Sequence, residues 1–304
     1  MKIVFIVNSR KNRMAYLKRV EQYCQKVSPG SAQFLLTMRK NHAIQFAKQA
    51  AENNCDYLIA VGGDGTLNEV INGVFQSNLP SNLYPTLGLL PCGSGNDFAR
   101  TARITNSIEE LMGLIKSKSI QKTDLGKIIL HQTRETRYFI NIAGVGLGAE
   151  VVQSMVQSKS FFGPAVNYSW HILKGFLDYD KKEVVCNGSD WEWKGRLLQM
   201  AIANGRYFGN ALCIAPDANL SDGMFQLAIF GDLSIWDYLK NLGRLKKGLK
   251  ISHQQVHYHI TREVTLQSND PCSIEADGEY VGQLPATIRV LPRAISFLSP
   301  SNLP

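Results

Sequence analysis

The chain has 304 residues, of which 44% are hydrophobic and 19% charged, and it carries a formal net charge of +8. This balance excludes disorder as the default state and supplies ample apolar material for one or two globular domains. The positive charge favours an anionic partner, whether nucleic acid, phospholipid surface or phosphorylated substrate, and does not by itself choose among them.

The opening MKIVFIVNSR is too short for a signal-peptide core and reads as a buried first strand. No apolar run approaches the roughly 20 residues that cross a bilayer, so any membrane contact is expected from the side. The six cysteines lack a CxxC pair or a Cys/His grouping, which argues against a zinc site or a disulfide framework and fits a reducing cytoplasm.

Along the chain, residues 3–7 read as a strand, 16–27 as a helix and 34–36 as a second strand, the rhythm of an α/β layer. Ala43, Phe46, Ala47, Ala50 and Ala51 then recur on one helical face. Residues 57–61 and 86–90 are continuous apolar runs of strand length, as a parallel sheet covered on both faces requires. Beyond about Asp124 the short runs 127–130, 138–142, 197–203, 225–230 and 264–267 predict a mainly antiparallel domain, interrupted by helices over 164–179 and 234–247. The fold expected is an open, mainly parallel α/β domain over 1–123, with 290–304 returning to it, followed by a β-rich domain over 124–289.

The strongest chemical signal, GGDGTLNE at 62–69, follows a strand and opens a helix over 67–75. Glycines let backbone N–H groups approach phosphate oxygens, and a helix start adds partial positive charge at the same place. A plain turn would need neither three glycines nor the Asp and Thr between them. Asp64 is placed to help hold a metal that accompanies a triphosphate. A second loop, PCGSGNDF at 91–98, repeats the device after the strand 86–90, with Ser94 to donate to phosphate and Asn96 or Asp97 to organise the turn. Neither loop is a Walker A or a dinucleotide fingerprint.

GGDGTLNEV at 62–70, LLPCGSGNDFAR at 89–100, LSDG at 220–223 and IEADGE at 274–279 resemble the diacylglycerol kinase catalytic-domain family, which includes bacterial soluble lipid kinases and sphingosine kinase relatives. The resemblance extends over nearly the whole chain. It implies a nucleotide-binding α/β domain, a β-rich lipid-substrate and metal-binding domain, and an active site in the cleft between them. It implies ATP as phosphate donor with Mg2+, and nucleotide contacts at Asn8, Thr37, Gly62, Gly63, Asp64, Gly65, Thr66, Leu67, Asn68, Glu69, Gly93, Ser94 and Asn96. Arg10 and Lys11 stand near enough in sequence to Asn8 to meet phosphate.

Ser221-Asp222-Gly223 alone reads as a hairpin turn. The resemblance makes Asp222 a Mg2+ ligand, helped by backbone carbonyls of Asn219 and Met224. The Asp277-Gly278 pair also reads alone as a hairpin. The resemblance makes Glu279 the base that takes the proton from an acceptor hydroxyl, with Asp64 as a second catalytic residue and Asp277 orienting metal or substrate.

A lipid substrate requires peripheral, transient attachment to a membrane. Residues 236–250 combine Leu239, Leu242, Leu245 and Leu249 with five cations, a surface suited to anionic phospholipid or a basic helix packed on its domain. Phe161, Phe162, Tyr168 and Trp170 fit either acyl-chain contact or core packing. His253, His257 and His259 read as ordinary strand and loop residues, and no nucleic-acid module is present. Exposed strands allow pairing into a homodimer. The competing readings are a pyridine-nucleotide kinase, which shares the Gly-Gly-Asp-Gly loop, and a non-catalytic nucleotide- or lipid-binding protein.

Overall fold

The computed structural model describes residues 1–9, 14–27, 29–157, 175 and 178–300. The expected contacts of Arg10 and Lys11, the aromatic run at 161–170 and most of the helix expected over 164–179 lie outside the described residues. The chain divides into two compact units, Met1–Thr123 with Arg293–Pro304, and Asp124–Pro292.

In the first unit the elements alternate as β1 (Ile3–Asn8), α1 (Met14–Val27), β2 (Ala32–Thr37), α2 (His42–Glu52), β3 (Tyr57–Gly62), α3 (Asp64–Phe75), β4 (Thr86–Pro91), α4 (Asp97–Thr101) and α5 (Ile108–Ser117). The strands run parallel in the order β2-β1-β3-β4. Ile3, Phe5 and Val7 of β1 and Ile59 and Val61 of β3 pack with Leu17 and Val20 of α1 and Leu111, Met112 and Ile115 of α5. Side chains alternate across a strand, so the intervening Val4, Ile6, Leu58 and Ala60, also buried, face the other side of the sheet. Helices α2 and α3 lie against each other through small residues, Ala43, Ala47, Ala50 and Ala51 on one and Gly73 on the other. A Cβ on Gly73 would stand 2.3 Å from the Ile44 carbonyl oxygen and 2.7 Å from Ala47 Cβ. Gly73→Ala is therefore expected to force the helices apart and cost about 1–3 kcal/mol, read as a lower urea midpoint at unchanged slope.

In the second unit the elements are β5 (Ile120–Leu130, entering from the first unit), β6 (Thr136–Phe139), β7 (Ile142–Gly146), α6 (Leu147–Gln157), β8 (Lys182–Asn187), β9 (Glu192–Leu197), β10 (Gln199–Ala203), β11 (Tyr207–Phe208), β12 (Leu212–Cys213) and β13 (Phe225–Phe230). Then follow α7 (Ile235–Lys246), β14 (Val256–Thr261), β15 (Glu263–Ser268), β16 (Ser273–Ala276), β17 (Glu279–Gln283) and β18 (Ala286–Leu298). One antiparallel sheet runs β14-β13-β10-β7-β16-β17, and a second joins β15 to β8, β8 to β9, and the first residues of β18 to β15. The last turn of β18 returns to the first unit, where Phe297 pairs with Leu87 in parallel.

The two sheets form a sandwich. Met200 and Ile202 of β10 and Phe225, Leu227 and Ile229 of β13 point into it, meeting Val184, Val264 and Ile288. The alternate residues Ala201, Ala203, Ala228 and Phe230 point to the far side, where Leu147 and Val151 of α6 and Leu245 of α7 cover them. Two expected strands divide on this account. The run 197–203 breaks at Leu198, whose amide donates to the carbonyls of Phe230 and Gly231 while the chain passes from one sheet to the other. The run 138–142 breaks at residues 140–141, where the backbone amides turn toward a carboxylate described below. Among the described residues no helix is long and apolar enough to cross a membrane.

Candidate active site

The carboxyl ends of the parallel strands gather most residues expected at the nucleotide. Asn8 and Thr37 are register partners on β1 and β2. The Asn8 amide donates to the Thr66 hydroxyl at 3.2 Å, which ties β1 to the first turn of α3. Gly62 ends β3, and a Cβ there would fall 2.3 Å from Thr66 Oγ1. Gly63 and Gly93 meet backbone to backbone, since a Cβ on Gly93 would lie 2.5 Å from the Gly63 Cα. Only glycine permits this approach of the two loops. No side chain caps α3, whose opening amides emerge at Gly63, Asp64 and Gly65.

Asp64 holds the second loop to the first. Its carboxylate oxygens accept from the backbone amides of Asp97 at 3.2 Å and Phe98 at 3.1 Å, the first turn of α4. Burial pushes its carboxyl above the ordinary value; the Phe98 amide opposes the shift and the charge of Asp97 adds to it. Each oxygen retains a further lone pair, so the same group remains able to meet a cation. Ser94 lies exposed at the tip of the second loop.

Four residues expected to touch nucleotide have other work for their side chains. Glu69 accepts from the amides of Asn41 at 3.1 Å and Ala43 at 3.0 Å, capping α2 with both oxygens. Asn96, at φ 53°, folds its carboxamide onto both backbone groups of Gly93, accepting at 2.8 Å and donating at 2.9 Å. Leu67 is fully buried in the core. Asn68 is buried too and accepts from the Asn72 amide at 3.1 Å.

In the second unit the turn 219–224 is an oxygen-rich loop. Asp222 is exposed and accepts from the Met224 amide at 2.9 Å, and Asn219 accepts from the Ser221 amide at 3.0 Å. The turn is anchored from below by Asp124, fully buried, which accepts from the Gly223 amide at 2.6 Å. Among the described residues there is no group of three His, Cys, Asp or Glu side chains placed to hold a metal. One carboxylate with neighbouring carbonyls is a hard-oxygen set that fits Mg2+, which keeps several of its waters, and does not suit zinc. His259 stacks on Trp191 with ring centroids 4.0 Å apart.

Asp277 and Gly278, at φ 49° and 82°, form a two-residue turn between β16 and β17, with Ala276 paired to Glu279. Asp277 was expected to orient metal or substrate, but its carboxylate accepts instead from the backbone amides of Ile140 at 3.0 Å, Asn141 at 3.0 Å and Ile142 at 3.1 Å. This clamp joins the turn to β7 and leaves Glu279, half-buried, as the first residue beyond it. Beneath the turn, the fully buried Glu275 accepts from the Gly278 amide at 2.8 Å.

Comparison with known proteins places the chain in a family. The model of the diacylglycerol kinase catalytic domain matches residues 2–128, and that of the YegS C-terminal NAD kinase beta sandwich-like domain matches residues 141–299. A diacylglycerol kinase of Staphylococcus saprophyticus is 30% identical over 271 residues, 88% of this chain and 84% of the relative. The chain belongs to the diacylglycerol kinase family. A diacylglycerol kinase of Staphylococcus aureus is 32% identical over 263 residues, covering 84% of this chain and 78% of the relative. A solved structure from Bacillus anthracis str. Sterne shares the fold at TM-score 0.75 and 20% identity over 98% of this chain and 97% of that one. For this diacylglycerol kinase family member, the family implies ATP use and lipid kinase activity.

Asp124, Asn141, Asn204 and Glu275 did not emerge as site residues from sequence reasoning. Asn204 donates to the carbonyls of Asp124 at 3.1 Å and Ile140 at 2.6 Å, and Asn141 donates to that of Tyr207 at 3.0 Å. Each is a single polar residue in or beside an apolar run, a weak local signal that buried hydrogen bonding alone makes meaningful.

Proposed function

We propose that this protein transfers the γ-phosphate of ATP to the hydroxyl of diacylglycerol or a closely related lipid, working peripherally at a membrane surface. The observation that carries the lipid assignment is an apolar groove in the second unit, of about 670 Å³ counting its open mouth. Leu147, Val151, Phe208, Phe230 and Leu233 are among its lining, an apolar wall of the kind that receives hydrocarbon. Helix α6, which lines the groove, also packs on β16 and on β17, the strand that Glu279 opens. The staphylococcal relatives carry the name diacylglycerol kinase.

In this reading the opening amides of α3 receive triphosphate oxygens, with Thr66 and Ser94 as hydroxyl donors. Asp222 and the carbonyls of Asn219 and Met224 hold Mg2+, with Asp64 available to a cation accompanying the triphosphate; bound Mg2+ neutralises negative charge. Glu279 takes the proton from the acceptor hydroxyl as its oxygen bonds to the γ-phosphorus, and the bond from that phosphorus to the bridging oxygen of ADP breaks.

The test is transfer of labelled γ-phosphate from ATP with Mg2+ to a panel of diacylglycerol, monoacylglycerol, sphingoid base, phosphatidylglycerol and NAD. Label in diacylglycerol or a close relative is expected. Label in NAD alone would overturn the acceptor, and nucleotide binding without transfer to any acceptor would favour a binding role.

A further inference from the structure

The geometry points to α7 as a membrane-docking element, its outer face seating on an anionic bilayer while its inner face walls the apolar groove. The purpose of such docking rests on the lipid-kinase reading; the docking itself stands on the helix.

A capping box starts α7: Ser234 accepts from the Asp237 amide at 3.2 Å, and the Asp237 carboxylate accepts from the Ser234 amide at 3.1 Å. Leu245 is buried, and with Tyr238 it lines the groove. The opposite face carries Trp236, 69% exposed, and Leu239, 45% exposed, followed beyond the helix by Leu249 at 47%. Positions 236, 239, 240, 243 and 247 share this face by helical spacing. A Trp and a Leu displayed together on a fixed helix gain nothing from water, whereas the bilayer interface receives both ends of an indole.

Charge decides the occupant. Lys240, Lys246 and Lys247 are exposed around these side chains, and none has an ion-pair partner among the described residues. Arg244 and Lys250 are engaged differently, Arg244 by donating to the Lys250 carbonyl and Lys250 by pairing with Asp217. Three unpaired lysines bordering exposed apolar side chains match a surface that is negative and has an apolar layer beneath, which is an anionic bilayer. Because Tyr238 and Leu245 line the groove from the same helix, seating α7 at headgroup level places one groove wall where an acyl chain leaves the bilayer.

Flotation of the full chain with vesicles of phosphatidylcholine, alone or mixed with phosphatidylglycerol, tests this. Strong partition is expected only onto the mixed vesicles. The paired variant Lys240→Gln/Lys247→Gln should lower it about 10–30-fold, and Trp236→Ser/Leu239→Ser should lower it about 10-fold or more at unchanged charge. Thermal unfolding of both variants should match the wild type, since all four side chains are exposed. Partition within about twofold of wild type for either pair, or equal binding to neutral vesicles, would overturn the docking role. A fall with the lysine pair alone would reduce it to unspecific charge attraction and overturn it too. Phosphorylation of a short-chain diacylglycerol dissolved as monomers, measured on the same proteins, separates the two readings. Docking that follows the expected pattern with no lipid phosphorylated supports docking and overturns the kinase reading. Phosphorylation with unaltered partition does the reverse.

Discussion

Glu279→Gln is expected to lower kcat for lipid phosphorylation by about 10²–10⁴-fold, the usual range for loss of a positioned general base. The amide keeps the volume and much of the hydrogen-bonding capacity of the carboxylate but cannot take up a proton at neutral pH. Glu279 is half-buried and stands immediately after a turn whose own residues are tied down, Asp277 by three amides and Gly278 by Glu275. The substitution should therefore leave the turn in place and the denaturation midpoint close to that of the wild type. Nucleotide affinity should also be retained, because the loops proposed to bind phosphate belong to the other compact unit. Rapid-quench measurement of a single turnover, alongside titration with a fluorescent ATP analogue, separates the chemical step from binding. A turnover within about threefold of wild type, far short of a lost general base, would move the base to another residue.

Most of the scaffold around this residue is visible in the sequence, because it arises from local chemistry. Strands such as β3 and β13 are continuous apolar runs bounded by turn residues, and Asp-Gly between two short strands specifies a two-residue hairpin. The α/β division into a parallel sheet and an antiparallel sandwich follows from the same patterns. What stays hidden is long range. The break at residues 140–141 is set by Asp277, 136 residues from Asn141 along the chain. Glu69 belongs to a motif whose glycines point to phosphate, yet its carboxylate caps a helix 26 to 28 residues away in sequence. Leu198 extends the apolar end of β9, and only the need of β9 and β10 to join different sheets ends the strand there. Motif residues are thus legible as a set, while the division between those that face ligand and those that hold the loops requires the packed structure.

Glu275 leads to the second large effect, which concerns pH. Its side chain is fully buried, with one oxygen on the Gly278 amide and the other, Oε1, without a hydrogen-bond partner among the described residues. A Cβ added to Gly144 would stand 2.3 Å from that oxygen, so the site is closely packed. Burial pushes the carboxyl from an ordinary 4.5 up to about 8; the Gly278 amide opposes this, and the neighbouring charges of Asp277 and Glu279 add to it. The folded state therefore keeps a proton that the unfolded chain releases above about 4.5. Between those values the native state binds more protons than the unfolded one, so stability falls as pH rises, and the loss is complete once pH passes the folded value. At about 1.4 kcal/mol per pH unit the window amounts to on the order of 5 kcal/mol, a large share of a domain's total stability. Glu275→Gln stays neutral and retains an acceptor for the Gly278 amide. Urea denaturation from pH 5 to 9 should accordingly show wild-type stability declining relative to the variant, with the gap opening toward alkaline pH; curves that stay parallel would mean that Glu275 ionises normally. Because Gly278 lies between Asp277 and Glu279, ionisation of Glu275 also puts charge under the turn that presents the proposed base. The same substitution should therefore hold kcat steady above pH 8, where the wild type declines.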